Sequence, residues 1–298
     1  MLRKDRRDSR TFRALAPLVV ATLRQQRQVY PAGRKVRRAS DVVVASYNIH
    51  KCVGRDGVFD PRRTAAVIRE IDADIIALQE VDRRFGKRAG VLDLAGLHRD
   101  CGLVPVPIVR TRSSHGWHGN LVLVREDTVA QARRLKLPGA EPRGGLVVDL
   151  SLPSGPLRLI AAHLGLLRHS RTQQVEAILA AAEVDEGRPV LLLGDLNEWR
   201  LGERSALRAL EPAFGPLQAS VASFPSNFPI WSLDRILANP HDMIAHIEVH
   251  SSTLARIASD HLPVKAAVNL RKRRRQIVAR DAHPVLHSHR HAGDGAKA

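Results

Sequence analysis

Pro189-Val190-Leu191-Leu192-Leu193-Gly194-Asp195-Leu196-Asn197-Glu198-Trp199 is a short apolar run closed by Pro on one side and Gly on the other. A run of that length between turn residues reads as a strand buried in a core. It delivers Asp195, Asn197 and Glu198 at its C-terminal end. Polar groups carried out of a rigid core strand are one way an α/β fold builds a site. Asp and Asn also cap the helix that follows a strand, so the rest of the chain has to arbitrate.

The same pattern recurs on both sides of this stretch. Asp41 opens the β-branched run Val42 to Tyr47, which ends at Asn48. Asp74 to Asp82 is an apolar strand that discharges Glu80 and Asp82. A carboxylate buried there without a partner is costly, and a bound cation is an economical partner. Gly119-Asn120 opens the strand Leu121 to Val124, where a turn Asn after Gly is the usual case. Ala161-Ala162 runs into His163, and Leu233 to Leu237 is a strand in which Asp234 points away from its neighbours. Ser259-Asp260-His261 precedes a last strand that runs to Leu270. Further strands are expected at 129–136, 145–152 and 244–250, with an extended segment at 103–110. Helices are expected from Pro61 through Ile71, over 91–101, over 172–183 and near 203–210.

One such strand end is weak evidence, but six in one chain are hard to attribute to caps. Together they supply oxygen donors for a hard cation in Asn48, Glu80 and Asp260, and imidazoles for proton transfer in His163 and His261. That donor set suits Mg²⁺, with Mn²⁺ as the alternative, better than zinc, whose ligands would include more His or Cys. No G-x-S-x-G is present, which argues against a Ser–His–Asp hydrolase.

The order of the motifs carries a resemblance. Ser46-Tyr47-Asn48, Leu78-Gln79-Glu80-Val81-Asp82, Gly119-Asn120, His163-Leu164-Gly165, Gly194-Asp195-Leu196-Asn197, Leu233-Asp234-Arg235-Ile236 and Ser259-Asp260-His261-Leu262-Pro263 resemble the endonuclease/exonuclease/phosphatase superfamily. This is the DNase I-like fold shared by AP endonucleases, neutral sphingomyelinases and inositol-phosphate phosphatases. The resemblance covers residues 41–270, and in texture it is similar to the sphingomyelinase-like phosphodiesterase branch. It implies an α/β fold, a four-layer α/β/β/α sandwich of two mixed sheets, and hydrolysis of a phosphate ester. It also implies Glu80 as the principal Mg²⁺ ligand, with Asn48 and Asp260 beside it. His261 would pair with Asp234 and orient the attacking water, while Asp195 and Asn197 hold that water and the phosphoryl oxygens. His163 would hydrogen-bond a phosphate oxygen or assist the leaving group, and Asn120 would contact substrate. Whether Asp195 or His261 is the base stays open.

Charge divides the chain into an arm, a catalytic region and a tail. Residues 1–40 carry 12 Lys/Arg against 2 acids, residues 271–298 carry 8 against 2, and residues 41–270 carry 27 against 26. Affinity for a nucleic acid or an anionic membrane surface is therefore expected in the two ends. Residues 41–270 lack the basic excess of a DNA-cleaving groove, and the loop Thr111 to His118 lacks the Tyr-bearing segment of nuclease members. The apolar patch Ala14 to Leu23 is far too short to span a bilayer. Two cysteines give no disulfide framework. The expectation is a cytoplasmic monomer, peripheral on the inner face of the membrane, acting on a small or lipid-borne phosphodiester. A nuclease is the alternative. A degenerate binding module is opposed by the intact set of Asn, Asp, Glu and His.

Overall fold

The computed structural model describes residues 42–83, 88–108, 114–182, 188–217 and 221–270. The basic arm, the tail and Arg112 lie outside the described residues. The chain runs β1 (Val42–Asn48), α1 (Pro61–Ile71), β2 (Ile75–Gln79), α2 (Leu94–Cys101), β3 (Leu103–Pro105), β4 (Leu121–Arg125), β5 (Val129–Leu137) and β6 (Arg143–Leu152). It continues through β7 (Gly155–His163), α3 (Arg168–Ala182), β8 (Val190–Asp195), α4 (Glu211–Phe214), β9 (Asp234–Asn239), β10 (Ile244–Val249), α5 (Ala255–Ala258) and β11 (Val264–Val268).

Two mixed sheets result. One has the order β10-β11-β1-β2-β4-β3, the other β5-β6-β7-β8-β9. The parallel pairs are β1 with β2 and β7 with β8. β1 and β2 pack across β8 and β9. Alternate residues fill the gap between the sheets: Val44, Ile75, Ala77 and Val122 from one side, Leu159, Ala161, Leu191, Leu193 and Ile236 from the other. The intervening residues point outward. Ala45, Tyr47, Ile76 and Leu78 pack on Val67, Ile68 and Leu97 of α1 and α2. Ile160, Ala162, Val190 and Leu192 pack on Val175 and Ile178 of α3. The central strands are thus apolar on both faces, which is why they read as unbroken apolar runs. This is the four-layer sandwich expected.

Local chemistry sets the element ends. Asp60 caps α1 by accepting from the Arg63 amide at 3.0 Å, with Pro61 in the first turn. α2 starts at Leu94 rather than Val91 because the Asp93 carboxylate accepts from the Gly96 amide at 2.9 Å. β3 stops at Pro105, which has no N–H to continue the ladder. The helix expected near 203–210 is instead two 3₁₀ turns, Gly202–Arg204 and Arg208–Leu210, leading into α4. Gly194 has φ +148°, and a Cβ there would sit 1.8 Å from the Ala162 carbonyl oxygen of the parallel neighbour. Only glycine lets β8 lie against β7 one residue before Asp195.

α3 begins at Arg168, earlier than its apolar spacing suggests, because its first turn carries the fully buried Arg171. Arg171 Nε and Nη2 donate to Glu198 Oε2 at 3.3 and 3.2 Å, and Nη1 donates to the carbonyls of Gly165 and Leu166. Glu198 also accepts from the amides of Arg200 and Ala206. This ion pair clamps the loop after β7 to the loop after β8. Arg171→Ala leaves Glu198 charged in a dry interior and is expected to cost about 3–5 kcal/mol. Thr172→Ala, on the exposed face of the same helix, should stay within about 0.5 kcal/mol. Denaturant melts of both variants check this; an unchanged midpoint for Arg171→Ala would remove the pair from the fold's supports.

Candidate active site

Strand parity places the site. Leu191 and Leu193 face the gap between the sheets, so Asp195 faces it too, at the strand's end. β7 pairs with β8 and β9 with β8 so that His163, Asp195 and Asp234 stand side by side. From the opposite sheet Val44 and Ser46 share their face with Asn48, whose amide donates to Asp195 Oδ2 at 3.0 Å. The mouth of the gap is therefore lined with polar side chains where the apolar layers stop.

Each polar group there has a partner from another element. Asp195 Oδ1 accepts from the Asn197 amide at 3.0 Å, and the Asn197 side chain donates to the Leu164 carbonyl at 2.9 Å. His261 Nδ1 lies 2.7 Å from Asp234 Oδ2, and its Nε2 lies 3.8 Å from Asp195 Oδ2. The Ser223 hydroxyl donates to the same Asp234 oxygen at 2.5 Å. Ser259 ties the loop before β11 to the end of β1 in the same sheet, its hydroxyl donating to the Asn48 carbonyl and accepting from the His261 amide. Asp234 fixes Nδ1 as the protonated nitrogen, which turns Nε2 toward Asp195 and the cavity. Burial alone would lower the pKa of His261, but Asp234 and then Asp195 outweigh it and raise it to about 10. The pair is built to carry an imidazolium, the state His261 enters on taking a proton.

His163 sits in the opposite field. Burial pushes its pKa down to about 3; Asp195 at 3.4 Å opposes the shift and Arg143 adds to it. Arg143 Nη1 lies 2.9 Å from His163 Nε2. A guanidinium can only donate, so Nε2 accepts. In this arrangement His163 Nε2 is engaged by Arg143. Arg143 is itself oriented by Glu141, which receives Nε at 3.1 Å and Nη2 at 2.9 Å.

A cavity of about 550 Å³ opens over these groups. Asn48, Glu80, His163, Asp195, Asn197, Asp260 and His261 all line it. Asp234 stands behind His261, fully buried. Asn120 is also fully buried and lies outside the lining. Its amide donates across the gap to the Gly144 carbonyl at 2.8 Å and to the carbonyls of Trp117 and His118. It joins the sheets beside the site, a bridging position rather than the substrate contact expected. Glu198, at the end of the deciding stretch, belongs to the buried clamp. Sequence reasoning missed Arg143, Lys51, Ser223 and Ser259, which sit in loops or at a strand's first residue with no periodic signal. Lys51, Glu80 and Asn197 have φ of 57°, 59° and 50°. Left-handed backbone at non-glycine residues is uncommon and concentrates where a site over-determines the chain.

Residues 45–261 match the model of the Endonuclease/Exonuclease/phosphatase family. The chain belongs to this family. It is 29% identical over 253 residues to the protein YbhP of Escherichia coli strain K12, covering 76% of this chain and 96% of that one. A solved endonuclease/exonuclease/phosphatase from Beutenbergia cavernae superposes with TM-score 0.58 and 25% identity over 77% of this chain and 72% of its own. The mannosyl-6-phosphatase Bt3783 of Bacteroides thetaiotaomicron (TM-score 0.55, 17% identity, 76% and 98% covered) has the same fold. So does truncated TDP2 of Caenorhabditis elegans (0.54, 17%, 78% and 99%).

Family membership makes the chain a phosphoester hydrolase dependent on a divalent metal. The residues fit such an ion. Glu80 Oε2 already holds a cation, the ammonium of Lys51. Burial would raise the pKa of Glu80, but Lys51, then His50 and Arg143, hold the carboxyl below its usual range. Asn48 and Asp260 add oxygens on the same cavity wall. The tightest His/carboxylate group among the described residues is a different one, Asp195, Asp234 and His261, whose donor atoms lie within 4.8 Å of one another. His261 and Asp234 are joined there by a hydrogen bond, so this group reads as a proton relay.

The relay has a kinetic signature. His261→Ala is expected to lower turnover at least about a hundred-fold, a usual contribution of a group in general acid–base catalysis. Asp234→Asn should cost nearly as much and the double variant little more, because the two act as one unit. Steady-state rates of the three variants check this, and strictly additive losses would mean that the residues act independently.

Proposed function

We propose that the protein is a Mg²⁺-dependent phosphodiesterase, with Mn²⁺ able to substitute, acting on a small or lipid-borne phosphodiester. The observation that carries this reading is the cavity's mixed lining. Glu80, Asp195, Asp260 and His261 share it with Leu166, Trp199, Phe224, Trp231 and Leu233, and the Phe224 ring packs on His261 with centroids 4.8 Å apart. A phosphodiester keeps two organic groups on phosphorus, and an apolar wall beside the reacting centre gives one of them a dry seat. Trp199 and Leu166 are 48% and 59% exposed at the rim, next to exposed Leu167 and Leu201. An aromatic and aliphatic rim of this kind suits an acyl chain or a membrane surface better than a sugar-phosphate backbone.

In the proposed mechanism Asp195, held by Asn48 and Asn197, accepts the proton of the attacking water, and His261, held as the imidazolium by Asp234, flanks that water. Arg143 donates to a non-bridging phosphoryl oxygen, and His163 holds Arg143 in place. Glu80, Asn48 and Asp260 would hold the metal, which when bound neutralises phosphoryl charge and acidifies water. The basic ends raise the local concentration of substrate on anionic membranes. A nuclease is the second reading, favoured by those ends and by the fold shared with a TDP2 complexed with single-strand DNA product.

Two measurements test this. Chelation should abolish hydrolysis of bis-p-nitrophenyl phosphate, with Mg²⁺ or Mn²⁺ restoring it; Glu80→Gln should raise the metal concentration needed while the melting curve holds. Full activity of Glu80→Gln at low metal would take Glu80 out of the site. A chain trimmed to residues 41–270 should keep that turnover yet lose most binding to anionic vesicles, and full-length binding should fall steeply with salt. Equal affinity and equal salt slope for both chains would reject the ends as the anchor.

A further inference from the structure

A second cavity, of about 350 Å³, adjoins the catalytic one and shares Glu80, Arg143 and His163 with it. Its other walls carry Lys51, Arg83, Arg88 and His118. Two carboxylates also line it, and both are engaged. Glu80 holds Lys51, and Asp82 accepts from the Ser114 hydroxyl at 3.2 Å and from the His115 amide at 2.9 Å. Among the described residues no carboxylate pairs with Arg83 or Arg88. Arg83 is exposed, and Arg88 approaches only the His118 ring, Nη1 to Nδ1 at 3.3 Å. Burial, then Arg88, holds His118 below its ordinary acidity constant, so the ring stays neutral beside a guanidinium.

Guanidiniums facing one small cavity repel each other unless an anion lies between them. Their forked donors match a phosphate better than a point charge would. Arg143 stands at the junction, donating toward the phosphoryl position on one side and lining the basic cavity on the other. We propose that this cavity is a subsite for a second phosphate group carried by the substrate, next to the one that is hydrolysed. The inference rests on the phosphodiesterase reading for the meaning of the first site. The chemistry is shared by a phosphorylated lipid headgroup and by the next phosphate of a nucleic-acid strand. Either way the substrate is at least doubly phosphorylated.

Calorimetric titration of the full chain with Mg²⁺ tests the subsite without requiring turnover. The first pair of probes is inositol 1-phosphate and inositol 1,4-bisphosphate. The second is dithymidylate with and without a terminal phosphate. The wild type is expected to prefer the additional phosphate in at least one pair by about ten-fold, the worth of a charge-assisted contact. The pair that shows it names the source. Arg83→Ala combined with Arg88→Ala should erase the preference, and Arg83→Ala alone, at an exposed side chain, should halve it or more. Arg62→Ala combined with Arg99→Ala removes the same charge from exposed helix faces elsewhere and should keep the preference, which separates the subsite from the basic ends. No preference in either pair, or equal losses in both double variants, overturns the subsite. Hydrolysis of bis-p-nitrophenyl phosphate by the same preparations reports separately on the phosphodiesterase reading: absent turnover with an intact preference would reject that reading and leave the anion subsite standing.

Discussion

Everything at the active end depends on how two carboxylates are kept charged in the gap between two apolar sheets. Asp195 and Asp234 are almost fully buried, and an isolated carboxylate there would take up a proton rather than stay ionised. Asp195 is held by donors from β1 and from its own following loop, and Asp234 by Ser223 and His261. The partners come from opposite sheets and from separate loops, so the hydrogen-bonded arrangement exists only when the sandwich is closed. The fold and the reactive state of the site are one equilibrium.

That dependence explains the second buried pair. Arg171 and Glu198 do not themselves line the cavity, yet they fix the loops that carry Leu164 and Asn197. Asn197 reaches the Leu164 carbonyl only if both loops stay in register. Positioned donors cost no reorganisation when charge develops at phosphorus, and catalysis loses steeply with small misplacement. A buried ion pair adds little to net stability against an apolar equivalent. Its value here is geometric, because it forces one arrangement of two loops.

How legible the site was depends on parity. A strand alternates faces, so Leu191, Leu193 and Asp195 had to share one, as had Leu159, Ala161 and His163. The strands, their order of use and the polar residues at their ends could therefore be read from apolar runs that stop at a titratable group. Residues outside that regularity could not. Ser223 meets Asp234 across a loop, and Lys51 meets Glu80 through left-handed backbone that no propensity foretells. Asn120 obeys the parity and still stands apart, because its side-chain NH2 is taken by the Gly144 carbonyl of the facing sheet and by the carbonyls of Trp117 and His118 in its own turn. The turn reading of a Gly-Asn pair and its place near the site were both present in the residues, and hydrogen-bond accounting separates them.

The near balance of 27 basic and 26 acidic residues over 41–270 argued, as a sum, for a weak hold on phosphate-rich ligands. The structure distributes that sum unevenly. Glu80, Asp195 and Asp260 line one cavity with Arg143, which Glu141 holds, while Arg83, Arg88 and Lys51 join Glu80 and Arg143 in lining the next. A ligand reads the field within a Debye length of where it sits, about 8–10 Å at physiological salt, rather than the charge of the domain. A neutral domain can thus hold a cation and a phosphate in adjacent cavities. Arg143, lining both, couples them: an anion drawn toward Arg83 and Arg88 stabilises the guanidinium that also faces the reacting phosphoryl group. The discrimination that the chain total seemed to deny can arise between two cavities that share one side chain.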